Sequence, residues 1–401
     1  MLYSHYGYDD AFRITGITDS VTPANSWTYG YDALDRITSG VKTGTTRGWT
    51  YDANGNRLTQ TGTSASTFTI AAASNRLSAT SGALTRTYGY DAAGNTLTYA
   101  NVTATYNNRG RMKTLKVGTP TATYVYNALG QRIKQSGGTP GTVLYWYDEA
   151  GHLLGEYNST GGLVQETVWL GDTPVATLRP GTPAVIFYVH TDHLNTPRKV
   201  SKPITGQLRW QWEPDPFGTT LPNENPQSLG VFKYNLRYPG QLYDAHAMLN
   251  YNYFRDYDPA IGRYVESDPI GLDGGINSYA YAELDPLGYE DPFGLAATQY
   301  CATDPTPPKK EEKCKKPKRA SRGATIVYLL CRLLSRMDDD DSGGGGGRTP
   351  PKPPVPDPPP ITQPYKPPPP RPPPGPAPPS PPPGGPSPPP PTPVNPMGPG
   401  R

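Results

Sequence analysis

Two short acidic stretches, "FRDYDP" at 254–259 and "ESDPIGL" at 266–272, are where carboxylates in this chain could do chemistry. Two carboxyl groups close enough to share one proton can divide the work of peptide hydrolysis. The ionised one takes a proton from water, and the protonated one polarises the scissile carbonyl. The same residues have a plainer reading: proline holds its predecessor extended and aspartate accepts hydrogen bonds from the backbone that follows, so every Asp-Pro is also a turn. Asp215, Asp285 and Asp291 precede proline too and belong with the turns. "HTDH" offers His190, Asp192 and His193 as zinc or iron ligands. In a strand, however, 190 and 192 share a face while 193 points away, so a strand end running into a turn is expected there, with no metal site. "GLDGGINSY" at 271–279 lacks the Lys-Ser/Thr of a phosphate loop.

The most frequent acid follows a tyrosine. Tyr-Asp or Tyr-Asn recurs at Tyr8, Tyr31, Tyr51, Tyr90, Tyr106, Tyr126 and Tyr147, with "SNRLSAT" at 74–80 as a degenerate unit in the one wide gap. A period of about twenty residues signals stacked supersecondary units that cannot bury a face alone. Within a unit the pattern is strand, turn, strand. Aromatics two apart share a strand face at Tyr29/Tyr31, Trp49/Tyr51, Tyr88/Tyr90, Tyr124/Tyr126 and Tyr145/Tyr147, and Asn54-Gly55 is a hairpin dipeptide. Asp32, Asp52, Asp91 and Asp148 therefore read as Asx-turn formers. Asn107 and Asn127 stand in for them, and asparagine caps a turn but cannot act as a carboxylate base. Tyrosine and tryptophan beside arginine could also bind carbohydrate or single-stranded nucleic acid; packing between strands accounts for them more simply.

These units must position any site, and the composition agrees with them. Tyrosine (29) far exceeds phenylalanine (7), as expected of many short strands carrying half-buried rings. A net charge of +3 gives no electrostatic case for nucleic acid. Cys301, Cys314 and Cys331 all lie beyond residue 300, which leaves the front of the chain without disulfides or thiolate sites. "MLYSHYGYDD" holds no basic segment followed by an apolar run, so no signal peptide is visible, and "ATIVYLLCRLL" from Ala324 is too short to span a bilayer. Spacing and composition divide the chain into repeats at 1–157, a stretch at 158–295 where the regular spacing breaks and which is densest at 234–295, a basic region with one short helix at 296–342, and a Gly/Pro-rich tail at 343–401, expected to be polyproline II or disordered. The tail's "KPPPPRPPP" fits polyproline-binding domains, and the Lys-rich run reads as a solvated linker.

The repeats, together with "YVHTDHLNTPRKV", "YFRDYDPAIGRYVESDPIGLDGGINSYAYAELDP" and "DPFGL", resemble the Rhs (rearrangement hotspot) or YD-repeat family over about residues 5–295. The resemblance implies an all-β fold, a hairpin strip wound into part of a hollow shell. It also implies a core that cuts the chain after the terminal Asp-Pro-x-Gly-Leu, between Leu295 and Ala296, freeing a variable C-terminal segment inside the shell. Matched to the family motif, the catalytic residues are Asp256 and Asp268 with Arg255 holding a carboxylate or the substrate backbone, and Asp258 competing with Asp256 for the first acid. No cofactor is implied. The implied partners are the chain's own C-terminal segment as cargo, secretion-apparatus proteins and an immunity protein, with a secreted or cell-surface location. The chain has too few units to close a shell, so it reads as part of a longer one. Beyond Leu295 it has no histidine and no Cys-His pair, so release of an active cargo is implied by the resemblance and has no support in these residues. The competing reading is a non-enzymatic surface or adhesion protein with a Pro-rich interaction arm.

Overall fold

The computed structural model describes residues 4–299. The expected short helix near 324–336 and the Pro-rich tail lie outside them. Twenty-one strands, from Ser4–Tyr8 to Leu208–Gln211, form one antiparallel sheet in which each strand pairs with its chain neighbours. Among the described residues, helix is confined to short 3-10 turns such as Gly271–Gly274. The fold is all-β, as the sequence implies. The strip does not break at residue 157 but runs on to Gln211, and the segment that leaves it begins after that.

The Tyr-Asp units are its joints. Asp32 Oδ1 accepts the backbone N–H of Leu34 (3.0 Å) and Arg36 (3.1 Å), and Asp52 Oδ1 those of Asn54 (2.9 Å) and Asn56 (2.8 Å). Asp91, Asp148, Asn107 and Asn127 make the same turn. Drawing the chain into that turn slips the ladder by one residue at each preceding tyrosine, as at Gly30/Tyr31 and Val125/Tyr126. The tyrosine then reaches back one unit. Its hydroxyl donates to a carbonyl of the hairpin before: Tyr31 to Ile14, Tyr51 to Ile37, Tyr90 to Leu77 and Tyr126 to Met112, each at 2.8 Å. Arginines stitch in the other direction, Arg36 Nη1 donating to the Asp52 carbonyl at 2.7 Å. Each unit thus satisfies polar backbone that its neighbour leaves open, which is why the units cannot stand alone.

The first hairpin comes against the far end of the strip, where the rings of Tyr6 and His193 meet edge to face at 4.7 Å. The segment after Gln211 packs on the strip. Its own four-stranded antiparallel sheet comprises Leu242–Asp244, Leu249–Asn252, Arg255–Asp258 and Arg263–Tyr264, and every residue of the two middle strands is buried. One face of this small sheet meets the strip through Leu249 and Tyr251. Near the other, Tyr257, Tyr264 and Tyr281 pack ring against ring with centroids 4.6–6.0 Å apart. Such pairs add about 0.5–1.5 kcal/mol each beyond burial.

Candidate active site around Arg255 and Leu295

Successive residues of a strand point to opposite faces, and this decides where the candidate acids go. On Arg255–Asp258, Arg255 turns away from the strip and Asp256 and Asp258 turn toward it. Asp258 Oδ2 pairs with Arg86 Nη1 at 2.8 Å and Oδ1 accepts the Ala260 N–H at 2.9 Å. Asp256 Oδ1 pairs with Arg132 Nη2 at 2.7 Å, and Arg132 Nη1 lies 3.2 Å from Asp244 Oδ2, itself bonded by the Tyr124 hydroxyl at 2.7 Å. Burial pushes the Asp256 carboxyl above its ordinary value against the pull of Arg132. Arg255 and Asp256 therefore serve different surroundings, and the guanidinium that meets Asp268 is not flanked by Asp256.

Arg255 is buried in a cage of acceptors. Its Nη2 lies 2.9 Å from Asp268 Oδ2 and 3.2 Å from Asp291 Oδ2, Nη1 donates to the Ser278 carbonyl at 3.1 Å, and Nε donates to the Gly294 carbonyl at 2.5 Å. Its plane covers the Tyr264 ring at 3.7 Å, and the Tyr264 hydroxyl donates to Asp291 Oδ2 at 2.8 Å. Asp291 Oδ1 accepts the Leu295 N–H at 2.9 Å, so Arg255 and Asp291 hold the two polar groups of the Gly294–Leu295 peptide. Leu295 is 1% exposed. The chain then doubles back, Thr298–Gln299 pairing with Tyr289–Glu290.

Asp268 stands beside the Leu295 carbonyl. A Cβ built on Gly274 would lie 2.6 Å from the Leu295 carbonyl oxygen and closer still to Asp268 Oδ2, so the two oxygens are no further apart than twice that distance. Burial raises the Asp268 carboxyl to about 7, with Arg255 opposing and Asp291 adding to the rise. A carboxyl so placed can carry a proton near neutrality and donate it toward a carbonyl oxygen. A cavity of about 160 Å³, lined by Arg255, Asp291, Leu295 and Ala297 together with the Asn54-Gly55 turn of the repeats, borders the Leu295–Ala296 bond and has room for water.

Two further acids in this region escaped the sequence reading. Asp291, grouped with the turns, shares Arg255 with Asp268. Glu266 accepts the Asp256 N–H at Oε2 (2.7 Å), while its Oε1 is buried with no hydrogen-bond partner; burial first, and then the nearby Asp256 charge, hold this carboxyl well above its ordinary value. In "HTDH", Asp192 Oδ1 accepts the N–H groups of Leu194 and Thr196, His190 meets Ser201 Oγ at 2.8 Å, and His193 Nε2 donates to the Leu287 carbonyl at 2.8 Å. No group of three or more potential metal ligands forms among the described residues.

A strip of hairpins stitched by tyrosine hydroxyls, packed against a buried C-terminal segment, defines a shell-forming repeat protein. The chain belongs to the teneurin YD-shell family, whose model matches residues 1–281, and the Rhs/YD-repeat resemblance of the sequence holds. It is 44% identical over 112 residues to toxin protein Tse5 of Pseudomonas aeruginosa, covering 28% of this chain and 8% of that protein. It is 38% identical over 115 residues to double-stranded DNA deaminase toxin A of Burkholderia cenocepacia, covering 29% and 8%. Among solved structures, the Photorhabdus luminescens Tc holotoxin pore aligns with a TM-score of 0.57 at 20% identity, over 75% of this chain and 17% of that one. That likeness concerns the fold. The chain spans less than a tenth of the length of these two relatives.

Proposed function

We propose that the chain is the closing part of an Rhs-type toxin shell and that it cuts its own backbone between Leu295 and Ala296. The observation that carries this reading is the Leu295 carbonyl, buried and set beside a carboxyl whose proton is retained to about pH 7. Asp268 in its protonated form polarises the carbonyl oxygen. Water adds to the carbonyl carbon and gives a proton to a second carboxylate; the C–N bond then breaks as the Ala296 nitrogen gains a proton, leaving a carboxyl on Leu295 and an amine on Ala296. The second carboxylate is assigned to Asp291, which lines the cavity beside Leu295 and shares Arg255 Nη2 with Asp268. Glu266 and Asp256, the latter tied to Arg132, lie on the side of the strand that faces the strip and take no proton in this step. Arg255 and Asp291 position the substrate backbone. Asp258, tied to Arg86, has no part in the step. That similar proteins are named as toxins supports reading the piece beyond Leu295 as the released cargo, with export from the producing cell and an immunity partner belonging to the same proposal.

Intact-mass measurement of the purified chain tests this. The wild type should appear as two species divided after Leu295, and Asp268→Asn, nearly the same in shape, as one species of full length with an unchanged circular dichroism spectrum. A single full-length species from both proteins, or equal cutting in both, would overturn the proposal.

A further inference from the structure

A second cavity, of about 420 Å³, opens between strip and inner segment away from Leu295. Its wall carries three guanidinium groups, Arg47, Arg86 and Arg237, against one carboxylate, Asp258. That carboxylate is already committed to Arg86 and the Ala260 N–H. Arg47 Nε meets Asp215 at 3.0 Å, yet its buried Nη1 has no hydrogen-bond partner. Arg237, 3% exposed, has no carboxylate within ion-pair distance among the described residues; its Nη1 donates to the carbonyls of Tyr234 and Leu236, and burial pushes the group down to about 10.

His246, 8% exposed, adds a neutral donor. The Thr139 N–H donates to its Nδ1 at 3.3 Å, so the neutral ring carries its proton at Nε2, and Nε2 is buried with no acceptor. Stacking on Trp212 and Tyr243 explains where Arg237 lies, not what balances its charge. Buried cations and donors left unbalanced are costly, and an anion in the cavity would remove that cost.

We propose that this cavity is a carboxylate-binding site and that its occupant is the chain's own four-aspartate run, Asp338–Asp341. It is the longest acidic run in the sequence. The tether from Gln299 is long enough, with an extended reach on the order of 100 Å, and a ligand held on the same chain meets its site at roughly millimolar effective concentration, so a weak site fills. The inference does not rest on self-cleavage; if the chain does cut itself, the same contact keeps the cut piece attached.

The test uses the full chain in the Asp268→Asn background, which keeps the run covalently attached in either case. Citrate serves as the probe, titrated calorimetrically into the protein with and without the four changes Asp338→Asn, Asp339→Asn, Asp340→Asn and Asp341→Asn. Citrate should bind the four-fold variant at least roughly tenfold more tightly than the chain with its aspartates, the difference expected once a tethered competitor is removed. Adding Arg47→Gln should weaken that binding by roughly tenfold, the loss of one charge-assisted contact. Equal citrate affinity with and without the aspartates, or no citrate binding to the four-fold variant, overturns the proposal.

Discussion

Replacing Gly274 by alanine should stop self-cleavage while leaving the fold in place. Gly274 closes the short turn Gly271–Gly274, and unlike Gly271 (φ +63°) and Gly275 (φ +127°) it needs no left-handed backbone, so alanine is conformationally allowed. What the methyl meets is the Leu295 carbonyl oxygen at 2.6 Å and, nearer still, Asp268 Oδ2. Restoring ordinary contact requires these groups to part by roughly 1 Å, and a misplacement of that size costs about 10²-fold in rate. Overpacking elsewhere costs about 1–3 kcal/mol. At about 2–4 °C per kcal/mol for a folded region of this size, the unfolding temperature drops by several degrees without collapse. The assay is a time course of intact mass after denaturant-free purification, run beside a thermal melt. A folded Gly274→Ala protein that cuts itself at the wild-type rate would show that Asp268 and the Leu295 carbonyl are not neighbours in the reacting chain.

The joints and the pH response give two further expectations. Tyr126→Phe leaves the Met112 carbonyl without its donor and should cost about 0.5–1.5 kcal/mol in chemical denaturation. Asp52→Asn keeps the Asx-turn and should be nearly neutral, whereas Asp52→Ala loses the bonds to Asn54 and Asn56 and should cost about 1–2 kcal/mol; equal effects of the two changes would contradict the turn role. Burial raises Asp268, Asp285 and Glu290 each to about 7. A carboxyl raised in the folded state contributes stability that is complete below its unfolded pKa, near 4, and is lost as pH climbs through 7. Calorimetry should therefore find a higher unfolding temperature at pH 5 than at pH 8, and a flat or rising profile would refute the assignment. Cleavage should slow above pH 7 as Asp268 ionises, approaching about tenfold per pH unit.

What could be read from the sequence was whatever the period fixes locally. An Asx-turn is decided within five residues, so Asp32, Asp52, Asp91 and Asp148 were legible as turns, and Asn127 in place of aspartate made it plain. The hydroxyl bridges from each tyrosine to the preceding hairpin were not legible, since they depend on the twist that carries one unit over the next. The site shows the same division. The motif "FRDYDP" placed Arg255 beside Asp256 in sequence, and the alternation of a strand separates them in space: one turns to Asp268, Asp291 and the Gly294 carbonyl, the other to Arg132 on the strip. That separation follows from period two alone and was open to inference once 255–258 was taken as a strand. Asp291 entering the same cage, 23 residues after Asp268 in sequence, was not, because it requires the chain to fold back so that Gly294 and Leu295 lie under Arg255. The repeats meet the inner segment through the buried pair Arg132–Asp256 and the Asn54-Gly55 turn that walls the cavity beside the Leu295–Ala296 bond. A strip displaced from the inner segment would leave Asp256 buried without its cation and the cavity without its wall, so the joint residues govern any cleavage from a distance while touching no reacting atom.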